Sequence, residues 1–183
     1  MSDIAAVAHA FDFVARKHVS QRRKGTSEEP YINHLIEVAH LLAEATNGAD
    51  TVLVMAGALH DVIEDTDVTA EELAASFGAE IAALVLEVTD DEALSYAERK
   101  RRQVETAPHI STRAKLIKLA DKTSNLRSLV ASPPKLWDGA RRREYARWSR
   151  EVAVHCMGIN DALDRAFEEA YRAAARQSGL EAA

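Results

Sequence analysis

Residues 51–66 read TVLVMAGALHDVIEDT, and this stretch decides the fold. Over VLVMAGAL it is apolar on most sides of a helical projection, which predicts a central buried helix from about Asp50 to Ile63. Outward from it the pattern stays helical. Residues 3–20 place Ile4, Val7, Ala8, Phe11, Val14 and Ala15 on one stripe, and a polar run from Gln21 to Glu29, with Gly25 and Pro30, reads as a loop. A second helix runs from Tyr31–Asn33 through Leu42 and stops at Asn47-Gly48. Thr69 with Glu72 and Ser95 with Glu98 have capping-box spacing, the first opening a helix that Gly78 stops, the second a basic helix to about Thr106. Further helices are predicted over 79–88, 112–130, 138–157 and 159–176, with Pro108 and Pro133-Pro134 as breaks.

No segment shows period-two alternation, and only 4 prolines and 7 glycines interrupt an alanine-rich chain of 183 residues. The expected fold is all-α, an irregular bundle of about eight helices. One domain is expected over residues 1–176, with 177–183 as a frayed C-terminal tail. A single cysteine, Cys156, excludes a disulfide-stapled scaffold and a multi-thiolate zinc site. The N-terminus carries Asp3 and Asp12 and lacks a basic start before a long apolar run, so neither a signal peptide nor a membrane span is expected and the protein is read as cytoplasmic. The net charge of −6 speaks against general nucleic-acid binding, although Arg22–Lys24, Arg99–Arg102 and Arg141–Arg143 form basic islands.

The chemistry-bearing residues lie at the end of the apolar helix. His60-Asp61 would leave a carboxylate at a buried position, which costs several kcal/mol unless a cation compensates it. Glu64 and Asp65 follow at helical spacing from His60 and Asp61. Asp121 ends a second apolar run in KLIKLADKTSNL, where a salt bridge to Lys118 or Lys122 is the competing role, and His34 sits just inside the second helix in PYINHLIEVAH. Two nitrogen and two oxygen donors suit Mn²⁺, Fe²⁺, Co²⁺ or Zn²⁺, and suit Mg²⁺ less well. The reading requires the imidazoles of His34 and His60 within about 6 Å of each other.

His34, His60-Asp61 and Asp121 together resemble the H…HD…D signature of the HD-domain phosphohydrolases. The segments HVSQRRKGTSEEPYINHLIEVA, ALHDVIEDTD, FGAEIAALVLEVTDD, ERKRRQVETAPHIS and AKLIKLADKTSNL are similar to the hydrolase domain of the Rel/SpoT stringent-response family, most of all to its free-standing form, the small alarmone hydrolases. The likeness covers about residues 3–170. It implies an HD-domain helical bundle in which His34, His60, Asp61 and Asp121 are metal ligands, usually for Mn²⁺. It further implies that Glu64 and Asp65 activate the attacking water and that Arg23 and Lys24 grip phosphates. Asn125, Arg141 and Tyr145 match positions near the nucleotide. Where animal members carry bulkier residues before Asn125, this chain has Thr123-Ser124. The implied reaction is hydrolysis of guanosine 3′,5′-bis(diphosphate) or the pentaphosphate, (p)ppGpp, giving GDP or GTP and pyrophosphate.

Other readings keep parts of this picture. The same centre fits a 2′-phosphatase acting on NADPH or another nucleotide phosphomonoesterase, and a non-catalytic nucleotide sensor would use the fold without turnover. The partner expected is a small guanine nucleotide, with no nucleic acid and no membrane, and a homo-oligomer is left open. His9, His18, His40, His109 and His155 are set aside as ligands, Cys156 is read as a packing residue, and Trp137 and Trp148 as core or interface packing. Arg99–Arg102 is expected to be solvated, with Lys100 or Arg101 able to lean over a polyphosphate.

Overall fold

The computed structural model describes residues 2–179. Ten helical segments follow one another: α1 (Asp3–Lys17), α2 (Ile32–Ala45), α3 (Thr51–Leu59), α4 (Val62–Asp65), α5 (Ala70–Phe77), α6 (Ala79–Val88), α7 (Tyr96–Thr106), α8 (Thr112–Ala131), α9 (Gly139–Ala153) and α10 (Asp161–Ser178). Since α4 is a single turn, the architecture is that of nine helices among the described residues, close to the expected count. Two isolated bridges, Arg22 with Pro30 and Gly25 with Pro134, are the β-type pairings among the described residues. No described helix is long and apolar enough to cross a membrane.

Helix starts follow the side-chain chemistry. Ser95 and Glu98 form the reciprocal capping box, and the Thr69 hydroxyl accepts from the Glu72 N–H at 3.2 Å. Asp50, Ser111, Asp138 and Asn160 cap α3, α8, α9 and α10 in the same way. Gly78, at φ 91°, takes a backbone conformation costly for other residues and separates α5 from α6.

Several boundaries differ from the sequence reading, among them the end of α9, at Ala153 rather than residue 157. The first helix ends at Lys17 rather than residue 20, because the His18 ring turns inward and stacks on Tyr31 at 5.4 Å. The apolar helix stops at Leu59, where the His60 ring donates to the Gly57 carbonyl at 2.8 Å, and a fresh turn begins at Val62. The last helix runs to Ser178, so Gln177 and Ser178 are helical, with Gly179 as the left-handed cap; residues 180–183 of the expected tail lie outside the described residues.

Helix α8 is the axis. It packs against α10, α2, α6, α9 and α3, while α3 packs also on α1, α2 and α6. Buried residues from Ala10 to Ala174 form one continuous cluster, with Phe167, Leu35, Leu42, Leu53, Leu59 and Leu119 fully enclosed. Helices α2 and α3 approach closely at Gly57, where an added Cβ would lie 2.3 Å from Leu42 Cδ1. Leu42 is itself fully buried. Gly57→Val is therefore expected to cost about 1–3 kcal/mol through overpacking in urea denaturation. Ile4→Ser, at an exposed site, should stay within about 0.5 kcal/mol of the parent.

Candidate metal centre and adjoining cavity

The meeting of α2, α3 and α8 brings His34, His60, Asp61 and Asp121 together. The His34 and His60 ring centroids are 5.2 Å apart. His60 Nε2 lies 3.1 Å from Asp61 Oδ2 and 3.8 Å from Asp121 Oδ1, and His34 Nε2 lies 3.6 and 3.4 Å from the same two atoms. Donor atoms of His34, His60 and Asp121 all fall within 4.8 Å of one another.

The hydrogen bonds fix what each ring offers. His34 Nδ1 contacts Ser124 Oγ at 2.8 Å, and His60 Nδ1 contacts the Gly57 carbonyl, which only accepts. Each imidazole is thus anchored through Nδ1, and among the described residues neither Nε2 has a hydrogen-bond partner despite full burial. Buried polar atoms are ordinarily satisfied. Two orphaned nitrogens beside two carboxylates have the donor set of a divalent-cation site, and these four residues could hold one. Burial alone would pull the His60 pKa down; Asp61 and Asp121 outweigh it and raise it to about 10. Burial opposes ionisation of Asp61 and Asp121 too, yet His60 holds Asp61, and Lys122 with the imidazoles holds Asp121, well below the usual carboxylate range. All of these shifts express one property, an attraction for positive charge.

Lys122, one of the two lysines expected to compete for Asp121, does bind it, at 2.9 Å through Oδ2. The competition is resolved within one carboxylate, because Oδ1 still faces the imidazoles. Lys122 also lies over the Trp148 ring at 4.4 Å. Lys118 instead donates to the Val88 carbonyl at 2.7 Å.

Asp65 keeps its helical spacing from Asp61, its N–H donating to the Asp61 carbonyl at 2.9 Å, yet the side chains of Glu64 and Asp65 take partners outside the four-residue cluster. Glu64 Oε1 accepts from the Asp90 N–H at 2.5 Å, and its burial, with Asp61 and Asp90 nearby, pushes its pKa up to about 7 against the pull of that hydrogen bond. Asp65 is exposed and accepts from Gln21 Nε2 at 2.9 Å. Both nevertheless line the cavity that opens beside the four donors.

That cavity, of about 330 Å³, has an acidic floor and a basic wall. Arg23 donates to Asn125 Oδ1 at 2.9 Å, and Asn125 Nδ2 donates to Asp121 Oδ1 at 2.5 Å, so the basic loop is tied to the Asp121 carboxylate through Asn125. Arg22 folds back on the Val19 and Gln21 carbonyls, while Lys24 lines the cavity from an exposed position. The loop is held by Gly25, whose missing Cβ would sit 2.2 Å from the Ser132 carbonyl, and by the Ser27 N–H donating to Ser132 Oγ at 2.8 Å. Tyr145 lines the cavity, and Arg141 lies in an adjoining recess, exposed and 4.8 Å above the Trp137 ring.

Several lining residues escaped the sequence reading. Tyr31 donates to Asp61 Oδ2 at 2.6 Å; burial and the surrounding carboxylates hold its pKa well above the ordinary phenol range. Its place three residues before His34, one helical turn away, was the available signal. Gln21 and Gln103 had no signal of their own. Trp137 and Trp148 pack against the core, as expected, and also face the cavity with Tyr96 and Tyr145. In the basic helix α7, Lys100 is drawn in between Tyr96 and Trp148 at 5.7 and 5.2 Å and pairs with Glu144 at 2.8 Å, whereas Arg101 stays solvated and pairs with Glu105. Among the histidines set aside, His40 is exposed and pairs with Glu44, and His9 packs on Phe77. Cys156 is fully buried, as expected of a packing residue.

Comparison with known proteins agrees with this architecture. Residues 10–152 match the model of the HD domain. The human guanosine-3′,5′-bis(diphosphate) 3′-pyrophosphohydrolase MESH1 is 47% identical over 98% of both chains, and its Drosophila melanogaster counterpart is 43% identical over 92% of this chain and 94% of its own. A solved structure described as a metazoan ortholog of SpoT that hydrolyzes ppGpp superposes with a TM-score of 0.88 at 43% identity, covering 96% of this chain and 97% of that one. With the donor residues, the helical scaffold and these likenesses in agreement, the chain belongs to the HD-domain family.

Proposed function

We propose that this protein is a metal-dependent hydrolase of (p)ppGpp, releasing the 3′-diphosphate as pyrophosphate and leaving GDP or GTP. The observation that carries the reading is the pair of orphaned His34 and His60 Nε2 atoms facing Asp61 and Asp121 at the floor of a cation-walled, aromatic-lined cavity. The substrate is the one named for the MESH1 relatives. A cation at the four donors, with Mn²⁺ as our assignment, supplies Lewis acidity toward a phosphoryl oxygen and toward water.

The protein's own groups do the rest. Glu64, with its pKa near 7, is suited to accept the proton of the attacking water, since a base poised near neutrality combines availability with strength. Asp65, steadied by Gln21, orients that water from the solvent side. Arg23 and Lys24 neutralise the diphosphate, and Lys122 adds a buried cation beside them. Tyr145, with Trp137 and Tyr96, offers flat apolar surface for the nucleoside, and Asn125 couples the phosphate loop to Asp121. Arg141 guards the outer recess, where a second phosphate chain can lie. Water adds to the phosphorus of the 3′-diphosphate, the bond to the ribose oxygen breaks, and that oxygen leaves with a proton.

In an assay of nucleotides incubated with Mn²⁺, the parent protein should release pyrophosphate from ppGpp, and Asp61→Ala or chelation of the metal should abolish the release. Release of orthophosphate from a nucleotide monoester, with no pyrophosphate from ppGpp, would overturn the assignment.

The carboxylate form of Glu64 is the active one, so kcat should rise with pH as the group loses its proton. A bound cation draws that pKa downward, placing the limb at or below about pH 7. Glu64→Gln should lower kcat by about 10²–10⁴-fold, and its residual rate should lack this limb. An unchanged pH profile in the variant would remove Glu64 from the role of base.

A further inference from the structure

We propose that Ser124 and Glu37 form a relay that positions His34 and sets how tightly the centre holds its cation. The proposal rests on His34 being a ligand, and it adds two positioning residues outside the cavity.

The relay has a fixed direction. Ser124 Oγ lies 2.7 Å from Glu37 Oε2 and 2.8 Å from His34 Nδ1. Glu37 is paired through its other oxygen with Arg127 at 3.0 Å, so its carboxylate is ionised and can only accept. The single hydroxyl proton of Ser124 therefore goes to Glu37, and the Ser124 oxygen turns its lone pairs to His34. His34 Nδ1 must then carry the ring proton, which leaves the Nε2 lone pair facing Asp61 and Asp121. The wrong tautomer, with the proton on Nε2, would place two hydrogen-bond acceptors nose to nose and block the site.

The spacing shows how the helices build this device. Glu37 follows His34 by three residues on α2, and Ser124 follows Asp121 by three residues on α8, so each relay member stands one turn from a metal-site residue. The link also ties α2 to α8 across the site. His60 has a different anchor, a neutral carbonyl of its own helix. The carboxylate behind Ser124 polarises the His34 ring more strongly than a carbonyl does, and such outer partners commonly change metal affinity by about 10–100-fold. The two imidazoles are thus unequal, and His34 is the one whose donor strength a side-chain change can tune.

Calorimetric titration of Mn²⁺ into the chelator-stripped full chain reads this directly. Ser124→Ala should bind about 10–100-fold more weakly. Ser124→Thr, which keeps the hydroxyl, should restore affinity to within about three-fold of the parent, and Glu37→Gln, which keeps an acceptor but not the charge, should fall between parent and Ser124→Ala. Circular dichroism of the metal-free proteins separates loss of the relay from loss of the fold, and if Ser124→Ala does not fold, Glu37→Gln decides. A parent that binds Mn²⁺ while Ser124→Ala or Glu37→Gln binds it equally well overturns the relay alone. A parent that binds no Mn²⁺ overturns the metal centre and the relay with it.

Discussion

Two carboxylates and two imidazoles share one buried spot, and the rest of the molecule is arranged around satisfying them. Asp61 and Asp121 come from segments 60 residues apart and are both held ionised against burial. Desolvating a charge costs several kcal/mol even after the protein relaxes. Lys122 offsets part of that cost at Asp121 Oδ2, and a proton on His60 can offset more. On the proposed reading, a divalent cation held by these residues would replace that proton, which would make cation binding and proton release a linked exchange. The packing serves this arrangement. Gly57 lets α2 and α3 approach closely, which brings His34 near His60, and the length of α8 carries Asp121, Ser124 and Asn125 along two successive turns beside them.

Much of this was legible in the chain because burial and charge conflict so sharply at a few positions. An apolar helix that ends in His60-Asp61, and a second apolar run that delivers Asp121, both call for compensating positive charge, which Lys122 supplies in part at Asp121. The helix starts were equally readable, since Ser95 with Glu98 and Thr69 with Glu72 state their role in local chemistry. The break after Leu59 was not readable. It depends on the His60 ring competing for the Gly57 carbonyl, and the partners that hold the Glu64 and Asp65 side chains, the Asp90 N–H and Gln21, come from distant segments. Trp148 packs against the core as expected and lines the cavity as well, which the chain alone does not announce. A tryptophan in a helix looks the same in sequence whether it faces the core or a cavity, and only the arrival of Lys122 and Lys100 on its ring shows which. Contacts across long separations, such as Gln21 with Asp65, leave no local signature.

The cavity also has to solve a problem of sign. An acidic floor that attracts a cation repels the polyphosphate on which the cation must act. The basic residues sit where they reverse this without quenching the floor. Arg23 is engaged by Asn125 rather than by a carboxylate, and Lys122 uses only the outer oxygen of Asp121. Asn125 is the hinge of the arrangement: a neutral amide that donates to the acidic side and accepts from the basic side, it lets the two poles touch without collapsing into an ion pair. An aspartate there would draw Arg23 inward and add a third negative charge beside Asp121. A lysine would occupy the cation's place. The amide at this one position is therefore as much a requirement of the electrostatics as the four proposed ligands themselves.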